Sequence, residues 1–268
     1  MSSDFLSKDI VHVNSSKRLS GTSSDFTIDL SQQIRIPNQY DRASLVSFSC
    51  PKSYYLITAD NDSFTVTEGK TTRTIELLHG NYSFTSLATE LEEELNAFGV
   101  GWVYTVLADK SVGKFFFSVT GHTSQPSFDF SGATSPYYIV GFDEAVYSFT
   151  SDVLYSVNLV NLQRIDSMQL LCNFVNGGIL STIIPDVSDF GLIQFQEPDA
   201  ILTSQIVSLS NFQQCHFSLV DGDDGAIIDL NGLHFDFVFI IYQRNTYFSQ
   251  MLQDKRLELL QQSINQTF

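Results

Sequence analysis

Between residues 25 and 71, apolar side chains recur at every second position. Phe26, Ile28 and Leu30 alternate with polar residues, as do Val46, Phe48 and Cys50, and then Phe64 and Val66. A period of two buries one face of a strand and wets the other, and PNQYD and PKSYY supply turn residues between the runs. The rhythm changes from 72 to 142. TRTIELLHGNYS predicts a strand ending in a Gly80-Asn81 turn. In SFTSLATELEEELNAFG the residues Phe84, Leu87, Ala88, Leu91, Leu95 and Phe98 recur at helical spacing, with Ser83 as N-cap and Gly99 as stop. WVYTVLAD, KFFFSVT and YYIVGF follow, so 72–142 reads as a β-α-β-β unit inserted into a larger sheet structure.

From 153 onward the strand rhythm returns with Met168, Leu170, Cys172 and Phe174, then GLIQFQ and ILTSQIVSL, and finally SLVDGDDGAIIDLNGLHFDFVFIIYQ, which reads as a closing hairpin. Outside 72–142 the principal strands are expected at 25–30, 42–50, 63–67, 166–174, 191–196, 203–209, 215–220 and 234–242. Eight antiparallel strands in two packed sheets describe a single jelly roll, so the fold class is mainly β. The jelly-roll domain is expected to comprise 25–71 plus 143–245. Residues 1–24, rich in Ser, read as an N-terminal arm that needs an outside surface to order it. Residues 246–268 read as a C-terminal helical tail whose thin stripe of Phe248, Met251, Leu252, Leu259 and Leu260 needs a partner.

Composition sharpens this picture. The 268 residues include 23 Phe and 11 Tyr but 1 Trp and 3 Met, a weight of aromatics that favours strands. Fourteen Lys and Arg stand against 30 Asp and Glu, a net charge of −16, so direct nucleic-acid binding is not expected. Cys50, Cys172 and Cys215 are far apart and form no CxxC pair, which predicts buried, reduced thiols. The N-terminus lacks the apolar core of a signal peptide and no stretch reaches the ~18 apolar residues of a membrane span. Synthesis in a cytoplasm is therefore expected, with the sequons at Asn14, Asn61, Asn81 and Asn265 unmodified.

Candidate chemistry is sparse. Asp221, Asp223 and Asp224 before Gly225 partly echo a calcium loop, yet the further oxygen ligands and closing Glu are missing. A hairpin tip explains them more simply: Asp224-Gly225 and Asn231-Gly232 both tolerate the positive φ of tight turns. Glu90, Glu92, Glu93 and Glu94 read as the solvated face of the helix rather than as paired catalytic carboxylates. His12, His79, His122, His216 and His234 show no metal-ligand spacing, and Cys215 and His216, as strand neighbours, point to opposite faces. GxSxG, GxxxxGK[ST] and GxGxxG are absent, so nothing suggests an enzyme or a cofactor. Gly80 and Asn81 should turn the chain into the helix with Tyr82 stapling the turn, and at least one of Tyr54 and Tyr55 should enter the core.

Four segments, NSSKRLSGTSSDFTIDL (14–30), SLVSFSCPKSYYLI (44–57), TIELLHGNYSFTSLATELEEELN (74–96) and SLVDGDDGAIIDLNGLHFDFVFII (218–241), resemble in content and order the penton, or minor capsid, proteins of virophages, polinton-like viruses and adintovirus-type elements. Where such proteins often carry Trp after the LNG turn, this chain has His234 and Phe235, which keeps an aromatic plug. The resemblance implies a virion protein: a jelly-roll subunit forming homopentamers at the fivefold vertices of an icosahedral capsid. Its implied partners are copies of itself, a double jelly-roll major capsid protein and other minor capsid proteins. A ligand-binding β-sandwich for host attachment or carbohydrate recognition is the alternative, with 72–142 as its recognition surface. A hydrolase dependent on His216 is a third reading.

Overall fold

The computed structural model describes residues 5–35, 39–97, 101–121, 124–208 and 212–244. The expected helical tail at 246–268 lies outside the described residues. In chain order the elements are β1 (Phe5–Asn14), β2 (Ser20–Gly21), β3 (Asp25–Ile28), β4 (Arg42–Pro51), β5 (Ser63–Glu68), β6 (Thr71–Glu76), α1 (Phe84–Asn96), β7 (Val103–Asp109), β8 (Lys114–Thr120), β9 (Ser127–Asp129), β10 (Val146–Ser148) and β11 (Val153–Tyr155). They continue with β12 (Met168–Cys172), β13 (Ile179–Ile183), β14 (Leu192–Gln196), β15 (Gln205–Ile206), β16 (Cys215–Asp221) and β17 (Asp236–Arg244). The chain divides into two compact units, residues 1–54 with 165–268, and residues 55–164.

The first unit is a jelly roll. Its eight long-paired strands nest: β1 pairs with β17, β3 with β16, β4 with β14 and β12 with β13, all antiparallel. First with eighth, second with seventh, third with sixth and fourth with fifth is the pairing of one long hairpin wound on itself. The winding yields two sheets, β1-β17-β4-β14 with β15 added on β4, and β13-β12-β16-β3-β2. Aromatic rings fill the space between the sheets. Phe217 sits 5.0 Å from Phe237 and 5.7 Å from Phe174, and Phe235 sits 5.5 Å from Phe48 and 5.9 Å from Phe26. Each such ring removes a large apolar area from water and gains ~0.5–1.5 kcal/mol from ring geometry.

Membership of the eight differs from the expectation in three places. Residues 5–14, expected as part of an arm, form β1 along the whole of β17, burying Val11 and Val13. Residues 179–183 supply β13, whereas 203–209 contributes only the two residues of β15. The strand at 63–68 belongs to the other unit, where it pairs with β6 and β9. A bulge also interrupts the alternation in β4: Val238 faces Ser47 and Phe239 faces Leu45, so Val46 is the extra residue and Leu45 enters the core.

The second unit is wider than the expected 72–142 because β5, β10 and β11 complete its sheets. These are β10-β9-β5-β6 and β11-β8-β7. Its core holds Phe64, Phe115, Phe117, Phe128, Phe130, Phe142 and Phe149 with the helix residues Leu87, Leu91 and Leu95. Ser83 caps α1, its hydroxyl accepting from Ser86 N while Ser86 Oγ accepts from Ser83 N. The glutamates of α1 are not simply solvated. Glu90 is buried and accepts from Leu78 N at 2.9 Å, and Glu92 accepts from Val106 N at 2.8 Å. Asn96 pairs its side-chain amide with both the N–H and the C=O of Tyr104 at 2.9 Å. Polar side chains thereby cover the free edge of β7, a position where an open ladder would invite another strand.

The edge of β1 is closed by the same device. The Gln33 amide accepts from His12 N at 2.8 Å and donates to His12 O at 2.9 Å, and Arg35 Nη2 donates to Lys8 O at 3.2 Å. Between them Asp9 is buried, receiving Tyr40 Oη and Arg35 Nε at 2.6 Å and Arg35 N at 2.7 Å. Burial opposes its charge, but these hydrogen bonds outweigh it and hold the carboxyl below its ordinary range. A depressed carboxyl pKa contributes stability above the unfolded value of 3.8 that is lost as pH falls through the folded value. Because Arg35 is largely exposed, Asp9→Asn should cost about 2 kcal/mol at neutral pH. In urea titrations the gap between variant and parent should narrow as pH falls below 3.8.

Candidate functional site

The turn residues singled out from sequence fall at separate places, one group in each unit. In the second unit Gly80 N and O exchange hydrogen bonds with Ile57 O and N at 3.1 and 3.0 Å. Asn81 Oδ1 accepts from Leu56 N at 2.7 Å, and Tyr82 Oη donates to Leu78 O at 2.6 Å. The three residues join the start of α1 to the strand system below it. Burial, reinforced by the charges of Glu90 and Glu94, pushes the Tyr82 phenol up to about 12.

In the jelly roll, the acidic tip is built from Asx turns. Asp221 Oδ1 accepts from Asp223 N at 3.0 Å and Asp224 Oδ1 from Ala226 N at 2.8 Å, while Gly225 takes φ +76°. The chain then folds back, with Ile228 N donating to Leu219 O at 3.0 Å. The return is short, and this corrects the expected closing hairpin: β16 lies between β12 and β3, whereas β17 lies between β1 and β4 in the opposite sheet. Asn231 and Gly232 turn the chain across at φ +51° and +78°, with Leu233 N donating to Leu230 O. Two successive positive φ values define a type I′ turn. It is pinned to the PKSYY segment, since Ser53 Oγ donates to Leu230 O at 2.7 Å and Asn231 Nδ2 donates to Ser53 O. Beyond it, Phe235 N donates to Ser15 Oγ at 3.1 Å, and Ser15 N to Phe235 O at 3.0 Å, seating the aromatic plug.

Side chains with chemical potential are engaged structurally. Cys50, Cys172 and Cys215 are free and buried, and burial raises each thiol to about 12, far from a reactive thiolate. His216 Nε2 lies 2.9 Å from Asp25 Oδ1 and 3.1 Å from Ser218 Oγ, but Ser218 donates to the same Asp25 oxygen at 2.6 Å. In a nucleophilic triad the carboxylate and the serine bind opposite ring nitrogens. Here both crowd Nε2, making a surface clasp between β3 and β16. Among the described residues, no group of three or more His, Cys, Asp or Glu side chains is arranged to hold a metal ion. Nor, among them, is any helix long and apolar enough to cross a membrane.

No family model matches the chain, and no curated protein does. Among solved structures, the crystal structure of the mavirus penton protein is similar. It superposes with a TM-score of 0.51 at 14% identity, covering 88% of this chain and 99% of that one. The chain has a penton-like fold.

Two surface features escaped the sequence. On the outer face of the three-stranded sheet, Leu107, Phe116 and Tyr155 form one cross-strand row. Leu107 and Tyr155 are 54% and 53% exposed, and the Tyr155 ring lies 4.8 Å from that of Phe116. Thr85, Thr89, Asp109 and Lys110 help them line a groove of about 650 Å³. In the jelly roll, Phe190 is 73% exposed at φ +60°. That left-handed conformation favours Gly or Asn, so a Phe there is unusual.

A Cβ at position 232 would meet open space, so backbone strain alone opposes substitution there. Gly232→Val should lower stability by about 1 kcal/mol or more, whereas Gly232→Asn should stay within about 0.5 kcal/mol of the parent. Chemical denaturation of the two variants side by side checks the turn.

Proposed function

We propose that the chain is a penton subunit: five copies close into a ring that occupies a fivefold vertex of an icosahedral capsid, flanked by a double jelly-roll major capsid protein. The observation that carries this reading is the reach of the structural likeness, which spans 99% of the mavirus penton protein and 88% of this chain and so takes in the inserted unit as well as the jelly roll. The four sequence segments that resemble penton proteins support it. They supply the β1-to-β3 passage, β4, the turn into α1, and the pinned crossover into β17. The net charge of −16 fits a wall component that does not itself grip the genome. Native mass spectrometry of the purified 30.1 kDa chain should find a ring of about 150 kDa, five-fold in negative-stain images. A monomer at assembly concentrations would contradict the reading.

The groove beside Tyr155 favours a second reading that is compatible with the first, in which the inserted unit carries a carbohydrate-recognition surface. An exposed aromatic ring next to threonine hydroxyls, a carboxylate and an ammonium offers both a stacking face and hydrogen-bond partners for a pyranose. On a glycan array the parent should retain a defined subset of sugars and Tyr155→Ala should lose it with melting unchanged. Equal retention by both would remove this reading.

A further inference from the structure

We infer that the ring contact joins the β13–β14 side of one jelly roll to the β1–β2 side of a second copy of this chain; the inference rests on the pentamer reading. β14 and β13 are edges of the two sheets, and the connection 184–191 links them directly. β1 and β2, the edges at the other end of the same two sheets, are linked by residues 15–19. A contact between these two sides is head-to-tail, the geometry that closes a ring.

The 184–191 connection is held rigid and carries a knob. Lys52 N donates to Gly191 O at 2.8 Å, Lys52 O accepts from Phe190 N at 3.0 Å, and Lys52 Nζ reaches Val187 O at 3.0 Å and Asp189 at 3.4 Å. On this frame Phe190 stands in water in a conformation that costs a non-glycine residue energy, beside Leu192 and Ile184, which are 51% and 69% exposed. A covering surface would take these exposed apolar side chains out of water. On the opposite side Ile10 and Leu19 are 54% and 65% exposed. There the Gln33 and Arg35 side chains already occupy the outer backbone groups of β1, so the meeting is between side chains rather than by strand addition.

Charge selects a second copy as the occupant. The β13–β14 side carries Asp186, Asp189, Glu197 and Asp199, and its one lysine, Lys52, is spent on the loop. The β1–β2 side carries Lys8, Lys17 and Arg18, three of the 14 basic residues of a strongly acidic chain, besides Arg35, whose charge is matched by Asp9. Of the carboxylates near them, Asp9 is bound by Arg35 and Tyr40, Asp25 by His216 and Ser218, and Asp29 caps its own turn at Ser31 N. Two copies of net charge −16 repel at long range, and a basic side set against an acidic one restores complementarity locally.

The test is native mass spectrometry and sedimentation of the full chain as parent, Phe190→Ser, Lys17→Glu, Asp186→Lys and the double reversal Lys17→Glu with Asp186→Lys. Unchanged melting controls for folding. Each single variant should raise the concentration for half-association about tenfold or more, and the double reversal should recover it. Pentamers in every variant equal to the parent would overturn the assignment of these faces while leaving the pentamer reading intact. The faces are equally misassigned if pentamers persist but Phe190→Ser loses binding to a trimeric double jelly-roll capsid protein. A monomeric parent would overturn the pentamer reading, and this inference with it.

Discussion

The constraint that organises this molecule is the closing of one long antiparallel hairpin by its own ends: β1 lies along β17, and every inner pair follows from that contact. Once the ends are paired, the hairpin is too long to stay flat and its apolar face must be buried, so it winds into two sheets around a shared row of phenylalanines. The winding leaves edges. An antiparallel sandwich that exposes them invites uncontrolled strand addition, and the chain answers with amide and carboxylate side chains: Gln33 on His12, Asn96 on Tyr104, Glu92 on Val106. These side chains occupy edge backbone groups that would otherwise be open to another strand.

The insertion obeys the same logic at smaller scale. It has its own aromatic core, and it enters between the third and fourth strands of the jelly roll. Interrupting the winding there leaves each of the nested pairs intact, because the inserted chain leaves from β4 and returns to β12. A unit with a separate core can change its surface without disturbing the packing of the jelly roll.

Much of this was legible from residue pattern. The period-two runs located β3, β4, β12, β14, β16 and β17, and the helical spacing located α1. What failed did so for identifiable reasons. β1 reads as polar because its sequence carries Ser7, Lys8, Asp9 and His12, and only the tertiary partners Arg35, Tyr40 and Gln33 make that tolerable in a strand. Alternation says that a strand has two faces but not which sheet it joins, so the run at 63–67 reads as part of the jelly roll although it pairs with β6 and β9. Two neighbouring Asx-Gly turns flanking apolar runs imitate a hairpin, although the second turn carries the chain between sheets. Glu90 and Glu92 look solvated on a helical projection because the amides they cap come from distant residues. Phe190 gives no pattern at all; its meaning lies in a dihedral angle and in Lys52, far away in sequence.

A cryo-electron microscopy reconstruction of the purified chain tests the central claim most directly. It should show five copies in a closed ring, with the loop at 184–191 of each seated against residues 10–19 of the next. Solitary particles, or rings joined through any other pair of faces, would contradict the account.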